Sequence, residues 1–510
     1  MTGVLIENCT LLHRGVGSVY VADGRVIKVM TDGIPAIPES TVRLDANGSS
    51  LLPGLIDTHC HPFGYGWLKR NIDLRGTTNI TGLRLRLQAR VLRTSPGEWV
   101  TGMGWDNESF PGGRMPTRSE IDDLSPRNPV ALSRVCGHIV LLNSIAVELL
   151  GLSSAQGPEY ERDTAGVLTG IVKEGALGAV FSAFPRSVQL SSNDLLAVEV
   201  EAMRFGLTTL HCILSPEGYQ EELEALQTLH SADSLSLRYR IYLPPEAMKY
   251  VEEHRLRQRL GDDRVRINGI KIYADGSMGA RTAALREPYA DDPGNTGLLR
   301  HSDSELQGLV DSADGKGYQV IVHAIGDRAI EQAIDAISHV TGSKNERRHR
   351  IEHASLLPRD LRNKMAKYRI RATVQPSFIT SDAWAVDRLG EERVRDLYPL
   401  KSMLNEGIIA SGSSDAPIES LSPVIGVWAA MVRMGSAPEE SLTLDECLGL
   451  YTTNAASNGF DEMVRLEEGS QADFTLLDSD ITGMHPALLR KVGVSATMVG
   501  GTLVHSTLGE

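Results

Sequence analysis

With 510 residues, 41% of them hydrophobic and 23% charged, the chain is too long for one ordinary domain and its composition excludes a disordered or fibrous protein. The formal charge of -14, from 65 acidic against 51 basic residues with no Lys/Arg-rich block, argues against nucleic acid and anionic membrane as partners. No apolar run reaches the roughly 20 residues of a membrane-spanning helix, and the start MTGVLIENCT lacks a basic n-region and an apolar h-region, so a cytoplasmic location is expected. The five cysteines show no CxxC spacing and are expected to be reduced thiols.

The opening VLIENCTLLHRGVGSVYVADGRVIKVM alternates β-branched and polar residues around a turn at Asp23-Gly24, a pattern of antiparallel strands. Next come short apolar runs separated by helical patterns, the alternation of a parallel α/β fold. Eight candidate strands follow one another: 54 to 61, 207 to 214, 237 to 243, 267 to 275, 319 to 326, 349 to 355, 371 to 377 and 408 to 415. Eight such strands fit a closed (β/α)₈ (TIM) barrel. After His323, Asp327 is placed to cap a helix whose Ile330, Ile334 and Ile337 share one buried face. The stretch from about 65 to 205 is far too long for one barrel helix and carries Phe110-Pro111-Gly112-Gly113, so it reads as an insertion covering the mouth of the barrel. QADFTLLDSD and VSATMVGGTLVHS repeat the strand texture of the start, and the two ends are expected to pair. The division is therefore 1–52 and 456–510 as a small β-sandwich domain built from both ends, 53–64 and 206–455 as the barrel, and 65–205 as the insertion after the first strand.

Chemistry enters at the strand ends. In LLPGLIDTHCHP, His59 and His61 stand two apart at the end of an apolar strand, so their side chains point the same way. Alone, such a pair often reflects only a strand face. His323 in VIVHAIG, His353 in RIEHAS and Asp415 in IIASGSSDAP also fall at the ends of presumed barrel strands, where (β/α)₈ enzymes place their active residues. Any one of these could be a satisfied buried histidine, but jointly they point to a shared metal ion.

This order, with a lysine on a middle strand, resembles the amidohydrolase superfamily. More narrowly, LLPGLIDTHCH, GWDNESFPGGRMPTRSEID, VCGHIVLLNS, KIYADGSMGARTAAL, HAIGDRA, RIEHAS and SGSSDAP look like the YtcJ-like branch, which includes N-substituted formamide deformylases. The resemblance spans nearly the whole chain. It implies that His59 and His61 bind the more buried ion, that His323 and His353 bind a second, and that Asp415 ligates and exchanges protons with the attacking water. Lys271 matches a lysine that many members carry carboxylated as a bridge between two cations; an unmodified lysine beside a single ion is the alternative.

The expected function is hydrolysis of an amide, formamide or cyclic amide C-N bond of a small molecule. A divalent cation, with zinc favoured by the nitrogen-rich site, would lower the pKa of water from about 15.7 toward about 7. Asp415 would shuttle the proton. Isomerisation, deamination or decarboxylation on the same site, and a silent binding or scaffold protein, are the competing readings. Arg281 could clamp a substrate carboxylate or carbonyl, His138 could reach the site from the insertion, and Trp105, Trp384 and Phe63 could line an apolar pocket. His211 ends the second strand and is expected at the rim. Glu352 reads as a structural ion-pair member, and Asp275 is open between roles. Association with further copies of the chain stays open.

Overall fold

The computed structural model describes residues 3–31, 37–182, 192–462 and 465–508. It divides into two compact units, one formed by Met1–Pro62 with Leu196–Glu510 and the other by Phe63–Leu195.

In the first unit the eight expected runs form the barrel: β1 (Leu55–Cys60), β2 (Leu207–Ile213), β3 (Arg238–Leu243), β4 (Val265–Tyr273), β5 (Gln319–Ala324), β6 (Arg350–His353), β7 (Arg371–Val374) and β8 (Ala410–Gly412). Neighbours in sequence are neighbours in the sheet, and every pair from β1–β2 to β7–β8 is parallel. Such strands are covered on both faces, which is why every residue of β2, β3 and β5 is buried and why they read as apolar runs. The first and last strands meet through side chains and their outgoing loops. Thr58 Oγ1 donates to Gly412 O at 2.9 Å, Asp415 N to His59 O at 2.9 Å and His61 N to Ala416 O at 2.8 Å.

The helix Asp327–Thr341 buries Ile330, Ile334 and Ile337, the face expected from their spacing. Its N-cap is Gly326, and Asp327 is the first helical residue, so the expected cap lies one position too late. A side chain at Gly326 would not fit, because a Cβ there would lie 2.0 Å from Ala284 O in the long loop after β4. Asp327 instead accepts the backbone N–H of Arg286 in that loop at 2.9 Å.

Strands from both ends join in one sheet beside the barrel. Val4–Leu11 pairs antiparallel with Gly15–Ala22, which turns through Asp23 and Gly24, both at positive φ, into Arg25–Met30. Ser50–Pro53 runs parallel to Val4–Leu11 and antiparallel to Phe474–Leu477, with Leu52 opposite Thr475. Val494–Val499 and Thr502–Ser506 complete that side. Val19, Leu51, Phe474 and Met498 share one apolar core, so neither chain end can bury its face without the other. Ser50–Pro53 leads into β1 through Gly54, where a Cβ would lie 2.5 Å from Thr208 Oγ1.

The second unit carries its own six-stranded sheet, in the order Tyr160–Arg162, Leu168–Lys173, Ile139–Leu142, Val130–Arg134, Val100–Trp105, Ile72–Asp73. Helix Ile80–Val91 packs Leu83 and Leu87 into its core with Val100, Trp105 and Leu132. No helix among the described residues is long and apolar enough to cross a membrane.

Candidate metal centre

Five imidazole and carboxylate side chains gather at the C-terminal ends of the barrel strands. His59 is the penultimate residue of β1 and His61 follows its end; His353 closes β6, and Asp415 stands in the loop leaving β8. One ligand atom each from His59, His61 and Asp415 lies within 4.8 Å of the others. Asp415 Oδ1 is 3.4 Å from His59 Nε2 and 3.3 Å from His61 Nε2. The ring of His353 has its centroid 5.0 Å from that of His59 and 4.5 Å from that of His323, which extends the cluster across β5 and β6. Lys271 on β4 brings Nζ to 3.3 Å from His59 Nε2.

The backbone is bent to aim these groups. His353, Ala354 and Asp415 have φ of 71°, 44° and 55°, a region that side chains disfavour by about 1–3 kcal/mol each. Bonds to neighbouring strands hold the bends: Ala354 N donates to Ala324 O at 3.1 Å, and Asp415 N to His59 O as above. Buried Asp57 ties the same two strand ends together, accepting from His59 N at 3.1 Å and from Ser414 Oγ at 2.5 Å. Burial pushes its carboxyl up to about 7 against the lowering effect of those bonds.

The far side of each buried imidazole is occupied, which selects the nitrogen left for a ligand. His59 Nδ1 bonds Glu352 Oε2. His323 Nε2 faces Gly276 O at 2.9 Å and Asp275 Oδ1 at 3.4 Å. His353 Nδ1 meets Gln375 Oε1 at 2.8 Å, and Gln375 is oriented by its own Nε2 donating to Ser413 Oγ at 2.9 Å. Asp275 is a hub, accepting the backbone N–H of Ala284 at 3.0 Å, Ile325 at 3.1 Å and Gly326 at 2.9 Å. That placement resolves its sequence ambiguity toward positioning of the β5 end.

Burial governs the charges. It holds His59 well below the ordinary imidazole value, with Lys271 adding to the effect, and lowers His353 to about 4. It lowers Lys271 to about 8, so about a fifth of this amine is neutral near pH 7.4, against about a thousandth for an ordinary lysine. Burial alone would raise Asp415, but the hydrogen bond with His61 and the surrounding imidazoles keep its carboxyl well below the usual range. The His59 and His353 imidazoles held low by burial, the ionised Asp415 carboxylate and the adjacent His61 are the type of donor set a divalent cation requires, and these residues fit one.

The weaker candidates are placed as follows. Arg281 lies in the loop after β4 with its fork on Asp291, at 3.2 Å and 2.8 Å. Trp384 stands partly buried with the Arg388 guanidinium 5.4 Å from its ring centre. In the second unit, His138 Nδ1 is 3.2 Å from Glu174 Oε2. Trp105 there is fully buried and donates Nε1 to Leu132 O at 2.8 Å, the situation of a core residue. Phe63 is buried as well. His211 is not at the rim: its ring is 5.6 Å from that of Tyr242, and its Nδ1 is 3.5 Å from Arg350 Nη2, inside the barrel below the ligand cluster. Glu352 pairs with Arg350 as expected but also contacts His59, and Gln375 was not singled out by sequence at all. The signal for both lay in period-two spacing: Glu352 follows Arg350, and Gln375 follows Thr373, on a barrel face that only the closed fold defines. All five cysteines are unpaired.

A parallel eight-stranded barrel with this cluster at its C-terminal rim defines a metal-dependent hydrolase fold, and residues 43–505 match the Amidohydrolase family. The chain belongs to that family. It is 32% identical to the YtcJ protein of Bacillus subtilis (strain 168), an amidohydrolase by name, over 97% of each chain. It is 28% identical to an N-substituted formamide deformylase of Arthrobacter pascens, covering 97% of this chain and 95% of that one. Among solved structures, an uncharacterized metal-dependent hydrolase from Pyrococcus horikoshii superposes with a TM-score of 0.74 at 27% identity, over 99% of this chain and 100% of that one.

Proposed function

We propose that this protein is a metal-dependent hydrolase that cleaves a C-N bond, in an amide, formamide or cyclic amide, of a small-molecule substrate. The observation that carries the proposal is the convergence of His59, His61 and Asp415 within 4.8 Å, beside buried His323 and His353. A divalent cation held there, zinc by preference of imidazole ligands, would polarise the substrate carbonyl and lower the pKa of water from about 15.7 toward about 7.

The chain's own residues supply the rest. Asp415, kept ionised by its imidazole neighbours, accepts the proton of the attacking water on its carboxylate. It returns that proton to the leaving nitrogen, which departs as a neutral amine. Lys271, with its lowered pKa, has a minor neutral fraction whose Nζ would add to carbon dioxide with release of one proton, and the carbamate so formed would supply an anionic ligand to the cation site. The relative named as an N-substituted formamide deformylase supports the formamide member of the substrate class.

The test is metal analysis of protein purified without chelator, joined to a hydrolysis screen over N-formyl, N-acyl and cyclic amide compounds with product identification. Stoichiometric metal and amine release are expected, and both should be lost in His59→Ala. A metal-free preparation, or a product formed by isomerisation or decarboxylation without hydrolysis, overturns the reading.

A further inference from the structure

Beneath the ligand cluster lies a buried polar chain that amide hydrolysis leaves unused. Glu352, the residue before the β6 ligand, is fully buried and has both carboxylate oxygens committed: Oε2 to His59 Nδ1, and Oε1 to Arg350 Nε at 2.6 Å. Arg350 is equally buried. It donates Nη1 to Tyr242 Oη at 2.9 Å and Nη2 to Thr58 O at 3.1 Å, and lies 4.7 Å above the Tyr242 ring. Tyr242 Oη in turn donates to Gln319 Oε1 at 2.8 Å. The chain therefore runs from the β1 ligand down through four strands.

The direction of each bond follows from chemistry. A guanidinium only donates, so Glu352 Oε1 accepts from Arg350; the other oxygen of this arginine-paired carboxylate faces His59 Nδ1 as the acceptor, and Nδ1 carries the proton. The lone pair of His59 is thereby fixed on Nε2, the atom that faces Asp415 and Lys271. His353 uses an uncharged amide for the same purpose, and His323 a backbone carbonyl flanked by Asp275. Only at His59, among these three, is the partner a carboxylate in direct hydrogen bond and itself locked by an arginine.

We infer that Glu352, held by Arg350, is a positioning residue that fixes the tautomer of His59 and strengthens its Nε2 as a donor to the divalent cation. The inference rests on the reading of His59 as a metal ligand. Substitution by glutamine makes the distinction sharp, because the amide has nearly the same volume but can donate to Nδ1 and so admit the wrong tautomer.

The experiment compares the full chain with Glu352→Gln and His59→Ala. It measures zinc affinity by competition with a chromophoric chelator, circular dichroism and thermal melting of the chelator-treated proteins, and the His59 tautomer by ¹⁵N NMR of histidine-labelled protein, assigned by the signal missing in His59→Ala. Wild type should show the proton on Nδ1, and Glu352→Gln should bind zinc about 10–100-fold more weakly while keeping its secondary structure. Zinc affinity in Glu352→Gln within about threefold of wild type, with affinity lost in His59→Ala, overturns the inference alone. Full affinity in His59→Ala overturns the ligand reading and this inference with it. Should Glu352→Gln fail to fold, the wild-type spectrum decides: a proton on Nε2 in the metal-free protein refutes the role of Glu352.

Discussion

Removing the metal should leave a protein whose stability depends steeply on mildly acidic pH, and His353 gives the effect its size. Its imidazole is buried at the barrel rim and lowered to about 4, whereas the ordinary value is 6.5. Between these values the unfolded chain binds a proton that the folded chain refuses, so stability is full above about pH 6.5 and falls as the pH drops toward 4. At about 1.4 kcal/mol per pH unit the gap amounts to about 3 kcal/mol, of which about 2 kcal/mol develops between pH 7 and pH 4.5. The perturbation is His353→Gln, which removes the titrating ring and keeps a polar side chain beside Gln375. The assay is urea unfolding of chelator-treated protein at the two pH values, followed by circular dichroism. The wild type should lose about 2 kcal/mol more than the variant on acidification. Equal losses in the two proteins would refute the burial of a neutral imidazole at this position.

Asp415→Asn should keep the fold and most of the bound metal yet lower turnover about 10²–10⁴-fold, measured on whichever substrate the amide screen yields, because the proton acceptor is gone. Mass spectrometry of Lys271-containing protein handled at neutral pH should reveal an acid-labile increment of one carbon dioxide, absent in Lys271→Met; an unmodified mass in metal-replete protein would assign Lys271 as a plain amine. Trp105→Phe should loosen the second unit by about 1–3 kcal/mol through the lost bond to Leu132 O and the smaller ring. Amide exchange in Val100–Trp105 and Val130–Arg134 reads that loss, and unaltered exchange would show that the indole is not a core element.

The barrel was legible because its strands are enclosed on both faces. Runs such as VIVHA and IKIY need no partner to be recognised, and a polar residue ending such a run marks the rim. His59, His61, His323, His353 and Asp415 were found in this way, and the structure brings them together. What escaped detection depends on depth inside the closed barrel. His211 and His323 both sit near the end of an apolar strand, yet one faces a tyrosine and an arginine below the cluster and the other joins the cluster, a difference set by strand stagger rather than by local sequence. The roles of Glu352 and Gln375 are equally non-local, since their partners come from other strands. Trp105 looked like a pocket residue because a large aromatic beside Gly-rich turns has the same composition whether it lines a surface or fills a core. The cap of Asp327–Thr341 was missed by one position because the glycine there answers to the carbonyl of Ala284, far along the loop, rather than to the helix itself.

The pairing of Leu52 with Thr475 has a consequence for biosynthesis. Translation delivers the strand that leads into His59 and His61 long before its sheet neighbour exists. At about 5–20 residues per second the wait is on the order of half a minute. Throughout it, nascent Ser50–Pro53 presents open amide and carbonyl groups to solvent or to a chaperone. A ribosome that stalls before residue 474 would therefore release a chain whose barrel entrance is poised for aggregation.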